Sequence, residues 1–345
     1  MELTAVFTNK HNPNNWRPHE LEALQQHFET VNVIGVEDID KVEPKCVLWR
    51  LSAEKTQANQ LDACLNKEAK WWGIPQVNRP SGWIHAHAKD HAFRRWLQHT
   101  IPVPEWGYVN TVEDMIKLHG KLPVLVRINY ANTGDGSLLC KTPSDLITAW
   151  QSIPAWYMDA FRRYGPGVDR NIIWAKFINH KYEGLRYSYR IIVSCGEIVT
   201  AYARTCPADN WLAITSKFRP EDGETWFALN KRCMDWCNDN EQYIVRAVTC
   251  LGLDWQGVDV IFDDNGQPFF LEVQPDYSSG NPRYGDKAPW YNPSYPQLVK
   301  FLKDNWDRVQ SDLPMYANRW LDKKNHFEVC ASTVYQQVKR SNDNE

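Results

Sequence analysis

The feature that most constrains this chain is a pair of apolar runs late in the sequence, each interrupted by a single acid. Asp259 sits in Gly257-Val258-Asp259-Val260-Ile261, and Glu272 in Phe270-Leu271-Glu272-Val273-Gln274-Pro275. Between them lies Asp263-Asp264-Asn265-Gly266, and an Asn-Gly pair between such runs predicts a tight hairpin. Side chains alternate along a strand, so the two acids can lie side by side across it. A carboxylate inside an apolar strand is costly unless something compensates it. A divalent cation would compensate both, and Gln274 adds a carbonyl oxygen on the same face as Glu272. All-oxygen ligands suit Mg²⁺ or Mn²⁺ shared with phosphates. An exposed edge hairpin with ordinary polar residues is the plain alternative.

Two more segments carry cations where an anion could be met. Arg127 lies on a strand predicted over residues 123–129 and is followed by Gly134-Asp135-Gly136. A cation at a strand end with a glycine loop can cradle a phosphate, although two glycines one residue apart are also common in turns. Lys89 heads a helix predicted over residues 89–100 and stopped by Pro102 and Pro104. A lone lysine at such a place is ordinarily solvated.

The rest of the pattern is α/β, and 345 residues suit about two or three packed units. Residues 5–8, 31–36 and 46–51 read as strands, with helices over 18–28 and 56–65. That alternation suggests a parallel sheet, in a unit ending at the turn signal Ser81-Gly82. Further on, a helix is expected over 111–119, a strand over 137–141, and a helical stretch over 143–164 broken near Pro154. Strands over 172–178, 189–194 and 198–204 follow, the last two joined by Cys195-Gly196, and then one long helix over 224–251. From Pro296 the chain reads as helical, with frayed polar residues at 340–345.

The 39 Lys and Arg against 42 Asp and Glu leave a formal charge of −3, which excludes a nucleic-acid binder acting by bulk positive charge. Hydrophobic residues at 43% and charged ones at 23% exclude a disordered chain. No apolar run approaches the ~20 residues that span a bilayer, and residues 1–16 show no signal pattern. Nine scattered cysteines fit free thiols in a reducing compartment, so the expected address is cytoplasmic. Trp71-Trp72 and Pro289-Trp290-Tyr291 read as packing rather than a stacking platform. His85, His87 and His91 could ligate zinc, but no cysteine pair completes a site, and His85 or His87 could instead face a cleft. Cys233 and Cys237, one helical turn apart, read as core or surface thiols. No Ser/His/Asp or Cys/His nucleophilic pattern stands out.

Order and spacing change the weight of these features. Lys89 lies twelve residues before Ile101, and Arg127 seven before Gly134 and nine before Gly136; Arg190, Arg204, Asp259 and Glu272 follow. The set resembles the ATP-grasp superfamily, the fold of glutathione synthetase, D-alanine–D-alanine ligase and the ligases that add glutamate to protein tails. The likeness covers roughly residues 70–285. It is most specific at Asn78-Arg79-Pro80 and at the Gly-Val-Asp and Leu-Glu-Val-Gln-Pro segments.

The resemblance implies an α/β (α+β) ATP-grasp fold with an N-terminal pre-ATP-grasp domain at 1–82. A small lid would span 83–178, a larger metal-bearing subdomain 179–310 and a helical tail 311–345, with ATP between lid and large subdomain. Lys89 would be the first ATP lysine, Arg127 would stand for the second, and Gly134 and Gly136 would belong to the loop closing over the phosphates. Ala175, Lys176, Phe177 and Ile178 would form the hinge strand whose backbone reads adenine. Arg190 and Arg204 would face substrate or transferring phosphate, and Asp259, Glu272 and Gln274 would hold Mg²⁺ (or Mn²⁺).

The chain departs from the pattern in several places. Arg127 replaces a compact ammonium with a planar fork. Lys176 stands where a hinge acid is common, and Ser188 where an Asp often contacts nucleotide, with Glu183 nearby as a stand-in. Gln274 replaces Asn, and Asp276-Tyr277-Ser278-Ser279 differs from the usual Gly-bearing substrate loop.

The activity implied is an ATP-dependent ligation of a carboxylate to an amine through an acyl phosphate, releasing ADP and phosphate. The partners implied are small-molecule substrates or a peptide or protein acceptor, without nucleic acid or membrane; a homodimer is usual for relatives. The departures at Arg127 and Gln274 keep two other readings open: a kinase of the same fold, and a catalytically impaired nucleotide-binding protein. Arg204, Lys217, Arg219 and Arg283 could favour an acidic substrate or form a solvated surface.

Overall fold

The computed structural model describes residues 1–8, 18–51, 58–130, 136–164, 171–209, 211, 218–274, 296–317 and 326–343. The first unit is a parallel sheet of β1 (Glu2–Phe7), β2 (Thr30–Gly35), β3 (Val47–Arg50) and β4 (Gln76–Val77), in the order β2-β1-β3-β4. The helices Pro18–His27 and Ala58–Lys70 return the chain between strands, as parallel pairing requires. A second sheet joins β5 (Trp106–Tyr108), β6 (Val124–Ile128), β7 (Ser137–Cys140) and β8 (Ile172–Lys176) in the order β5-β8-β6-β7, all antiparallel. The third sheet, in the order β11 (Glu197–Pro207), β10 (Leu185–Ser194), β12 (Trp255–Phe262) and β13 (Pro268–Gln274), also carries β9 (Lys181–Tyr182) on β10.

One apolar core joins the first and third sheets. Val6, Trp49 and Leu51 share this buried cluster with Phe93 and Trp96 of the helix Lys89–Gln98 and with Ile191, Val258 and Val260. The second sheet has a core of its own, built from Val124, Val126, Ile128, Leu146, Ile172 and Trp174. Trp106 of β5 also reaches the first core, its ring 5.6 Å from that of Phe93. The last helix, His326–Asp343, packs Val334 and Val338 against Leu24, Leu48 and Trp255.

Several expectations are corrected. Ser81 and Gly82 do not turn; they lie in the helix Pro80–His87, with Pro80 in its first turn. A Cβ on Gly82 would lie 2.4 Å from the Gly252 carbonyl oxygen, so this glycine serves close helix packing. The helix Pro143–Tyr164 runs unbroken through Pro154, which is on the exposed side where water can replace the missing donor. The long helix is two, Gly223–Asp239 and Glu241–Thr249, divided at Asn240, whose side-chain amide donates back to the Trp236 carbonyl. Residues 340–343 are helical rather than frayed. The two-residue strands β4 and β9 and the three-residue β5 are too short to leave a periodic signal.

Asn78 ties the first sheet to the third. It is fully buried with φ +58°. Its Nδ2 donates to the Trp255 carbonyl at 2.7 Å, and its Oδ1 accepts from the backbone N–H groups of Asp254 (2.9 Å) and Trp255 (2.6 Å). Asn78→Ala would leave three buried backbone groups unserved, an expected loss of about 3 kcal/mol. Urea denaturation should show a lower midpoint with an unchanged slope.

Candidate active site

The β12–β13 hairpin places Asp259 and Glu272 directly opposite each other, and Arg190 of β10 is the partner of Asp259 on its other side. A register shift makes this possible. Val258 pairs with Val273 and Val260 with Phe270, so two residues of β13 oppose the single Asp259. That bulge keeps Phe270 in the core while turning Glu272 to the opposite face. Without it, strict alternation would put Phe270 and Glu272 on one face.

On that face the charged groups interlock. Arg190 donates from Nε to Asp259 Oδ1 and from Nη2 to Oδ2 at 2.6 Å. Arg204 of β11 donates to the same Oδ2 at 3.1 Å. Arg190 Nη1 donates to Gln274 Oε1 at 2.9 Å, and Gln274 Nε2 donates to Glu272 Oε1 at 2.7 Å. Lys89 Nζ, at the head of its helix, stands 3.2 Å from Glu272 Oε2. Asp259 and Lys89 are each 4% exposed.

Burial and the nearby Arg127 guanidinium pull the Lys89 ammonium down to about 8, against the support of Glu272 and Asp259. Burial pushes the Glu272 carboxyl up, but Lys89, Arg127, Arg190 and Arg204 together hold it well below the usual carboxylate range. Four cations thus surround two anions, an excess of positive charge suited to a polyphosphate.

The other expected residues are distributed around this cluster. Gly136 has φ +59°, and its carbonyl accepts from the Ile128 N–H, closing the loop after β6; Gly134 lies outside the described residues. At the end of β8, Lys176 turns its Nζ to the Lys121 carbonyl at 2.7 Å, and the Phe177 N–H donates to the Pro123 carbonyl. The Ile178 carbonyl lies 2.8 Å from His180 Nδ1. Glu183 is not brought to the cluster: it sits on an exposed turn and accepts from the Thr225 hydroxyl. Ser188 is buried beside Arg204 as its cross-strand partner. The His85 and His91 rings are 6.4 Å apart, and the His87 side chain lies outside the described residues. The expected substrate loop and residues Lys217, Arg283 and Trp290 lie outside them too.

Sequence reading missed Arg186. Its guanidinium lies 5.0 Å over the Phe177 ring and donates to Asn179 Oδ1 and the Ala208 carbonyl. The alternation Arg186-x-Ser188-x-Arg190 was the available signal.

Solved structures are similar to this chain in fold. The chain is similar to the ATP-grasp ligase PsnB complexed with precursor peptide PsnA2 and AMPPNP, with TM-score 0.53 and 12% identity, covering 98% of each chain. It is similar to the D-alanine–D-alanine ligase from Coxiella burnetii, with TM-score 0.53 and 10% identity over 100% of this chain and 98% of that one. The D-alanine–D-alanine ligase from Bacillus anthracis complexed with ATP also gives 0.53, at 11% identity over 99% and 98%. The chain has the ATP-grasp fold. No sequence-family profile and no curated protein matches it.

Within the ATP-grasp fold, the third sheet supplies Arg190, Arg204, Asp259, Glu272 and Gln274, the second sheet supplies Arg127 from β6, and the helix Lys89–Gln98 supplies Lys89. The donor chemistry fits one hard divalent ion: two carboxylates and an amide oxygen on adjacent positions of one sheet face. Among the described residues no group of three or more His, Cys, Asp or Glu could hold a metal, so the amide oxygen would have to complete the set. No helix among the described residues is long and apolar enough to cross a membrane.

Proposed function

We propose that this chain is an ATP-dependent ligase that joins a carboxylate to an amine. The observation carrying the reading is the interlocked cluster of Glu272, Gln274, Arg190, Asp259 and Arg204 on the third sheet with Lys89 of the helix, and with the Arg127 charge near Lys89 and Glu272. In this reading Lys89 and Arg127 bind the phosphates, and the backbone at Lys176, Phe177 and Ile178 takes the adenine. The loop that ends at Gly136 would exclude water. A substrate carboxylate oxygen attacks the γ-phosphorus and ADP leaves. The amine then attacks the acyl carbon of the mixed anhydride and phosphate leaves, with loss of one proton from nitrogen. Arg190 and Arg204 stabilise charge on the transferring phosphoryl group. Asp259, Glu272 and Gln274 would hold Mg²⁺ (or Mn²⁺), which supplies Lewis-acid neutralisation of phosphate charge when bound. The acceptor is a small amine or a peptide.

A coupled ADP-release screen of carboxylates, with and without amines, tests this. Dependence on both substrates, with phosphate released, supports the ligase. ADP release with a stable phosphorylated product and no amine requirement supports the kinase instead. One observation favours a third reading, a nucleotide-binding protein without turnover: Arg190 and Arg204 occupy both oxygens of Asp259. For that reading, nucleotide binds and no ADP forms with any pair.

Lys89 gives a pH prediction that needs no metal. In EDTA, ADP phosphates should raise the Lys89 ammonium from its starting point of about 8. Affinity should then be level below that pH and fall as pH rises through it, because binding must first take up a proton. Calorimetry at pH 8.5 in two buffers of different ionisation enthalpy should show proton uptake, and Lys89→Met should abolish it.

A further inference from the structure

Asp90 follows the phosphate lysine and is 2% exposed, yet it does not point into the charge cluster as Lys89 does. Its Oδ1 accepts from Asn129 Nδ2 at 2.6 Å and from the His91 N–H at 2.8 Å. Its Oδ2 accepts from the Tyr108 hydroxyl at 2.5 Å, and its own N–H donates to Asn129 Oδ1 at 3.1 Å. Tyr108 accepts in turn from Arg94 Nη2, whose guanidinium lies 5.4 Å over the ring.

The placement of these partners matters. Asn129 directly follows β6, two residues after Arg127, and its N–H is held by the Asn171 carbonyl beside β8. Tyr108 closes β5 at the far edge of the same sheet. One carboxylate on the helix therefore grips the lid at both β5 and β6. The second sheet has a core of its own, and its apolar contact with the helix runs through Trp106 of β5, whose ring lies 5.6 Å from that of Phe93; the Asp90 bonds add a polar tie beside that contact. Lys89 is buried and Arg127 half-buried, near enough to act on it, and the mutual repulsion of these like charges opposes holding them together unless the backbones carrying them are tied.

We propose that Asp90 is a positioning residue that holds the lid against the lysine-bearing helix, keeping Lys89 and Arg127 together as a preformed polyphosphate clamp. The role rests on the nucleotide reading above, but the tie itself is a property of the nucleotide-free protein. Both strong bonds to Asn129 join groups 39 residues apart in sequence, so they restrict the arrangement of two units rather than a local turn. A charge-assisted, buried bond of this kind is worth more than a neutral one and excludes a loosely hinged lid.

The test uses the full chain labelled at exposed Ile116 on the lid and exposed Leu97 on the helix, with the label-to-label distance read without nucleotide. Wild type should give one narrow distribution, and Asp90→Ala a broad, longer one. Mg·ADP affinity should fall roughly 10- to 100-fold, the range found when a group orienting a ligand is removed. The exchange Asp90→Asn with Asn129→Asp keeps one amide facing one carboxylate and should restore most of both. If Asp90→Ala does not fold, Tyr108→Phe, which deletes a single bond, should broaden the distribution to a lesser degree. An unchanged distribution in a folded Asp90→Ala protein overturns the proposal, as does a loss of thermal stability with distance and affinity unmoved. If wild type binds no Mg·ADP, the functional reading fails, and the distance distributions still decide the tie.

Discussion

Glu272→Ala is expected to lower ADP release by about a thousandfold or more, equivalent to roughly 4 kcal/mol of transition-state stabilisation. The reason lies in the charge balance on the sheet face. Lys89, Arg127, Arg190 and Arg204 all act on this one carboxylate, and Lys89 has it as an ion-pair partner at 3.2 Å. Removing it leaves Asp259 as the remaining acid of the cluster, already committed to two arginines. It also removes a hard oxygen donor from the set fitted to a divalent ion. Glu272→Gln keeps the shape and the bond to Gln274 while losing the charge, so it should fall nearly as far. Rates at saturating Mg·ATP, read beside nucleotide affinity, separate lost chemistry from lost binding. Full turnover in the alanine variant would remove the late hairpin from the chemistry.

Asp259→Ala should be the most destabilising single change at the site. Arg190 is 5% exposed and gives Asp259 two parallel hydrogen bonds. Without the carboxylate a guanidinium is left buried and unneutralised, a loss of about 3–5 kcal/mol. The double variant Arg190→Met/Asp259→Leu removes both charges and fills the space with apolar groups. It should be more stable than Asp259→Ala, and inactive. Urea denaturation of the three proteins checks this. A double variant no more stable than the single would mean that the pair stabilises the fold outright.

The hairpin was legible because its signals are local. An Asn-Gly turn and two apolar runs determine where the chain reverses, and alternation brings Asp259 and Glu272 to adjacent strands. Lys89 and Arg127 were weaker readings, since neither residue carries a signal beyond its spacing to later glycines and prolines. The structure brings both to the Glu272 carboxylate. The glycine at position 82 shows the opposite case. Its neighbour Ser81 and the proline before them spell a turn, but the contact that explains it is with Gly252, 170 residues away. The division of the long helix at Asn240 likewise goes with backbone and side-chain bonds from Asn240 to the Trp236 carbonyl, which residue type alone does not announce.

What the sequence by itself determined was the order of the elements, the two acids facing each other across a late ribbon, and the cations expected to join them. These follow from side-chain period, turn chemistry and the cost of a lone carboxylate among apolar residues, all short-range. Only the tertiary structure decided which face each group takes and which polar bonds join the helix Lys89–Gln98 to the second sheet. The bulge opposite Asp259 turns Glu272 to the charged face while Phe270 stays in the core, and Asp90 reaches across to Asn129 and Tyr108. Both depend on competition among distant partners for the same buried space, which no local pattern encodes.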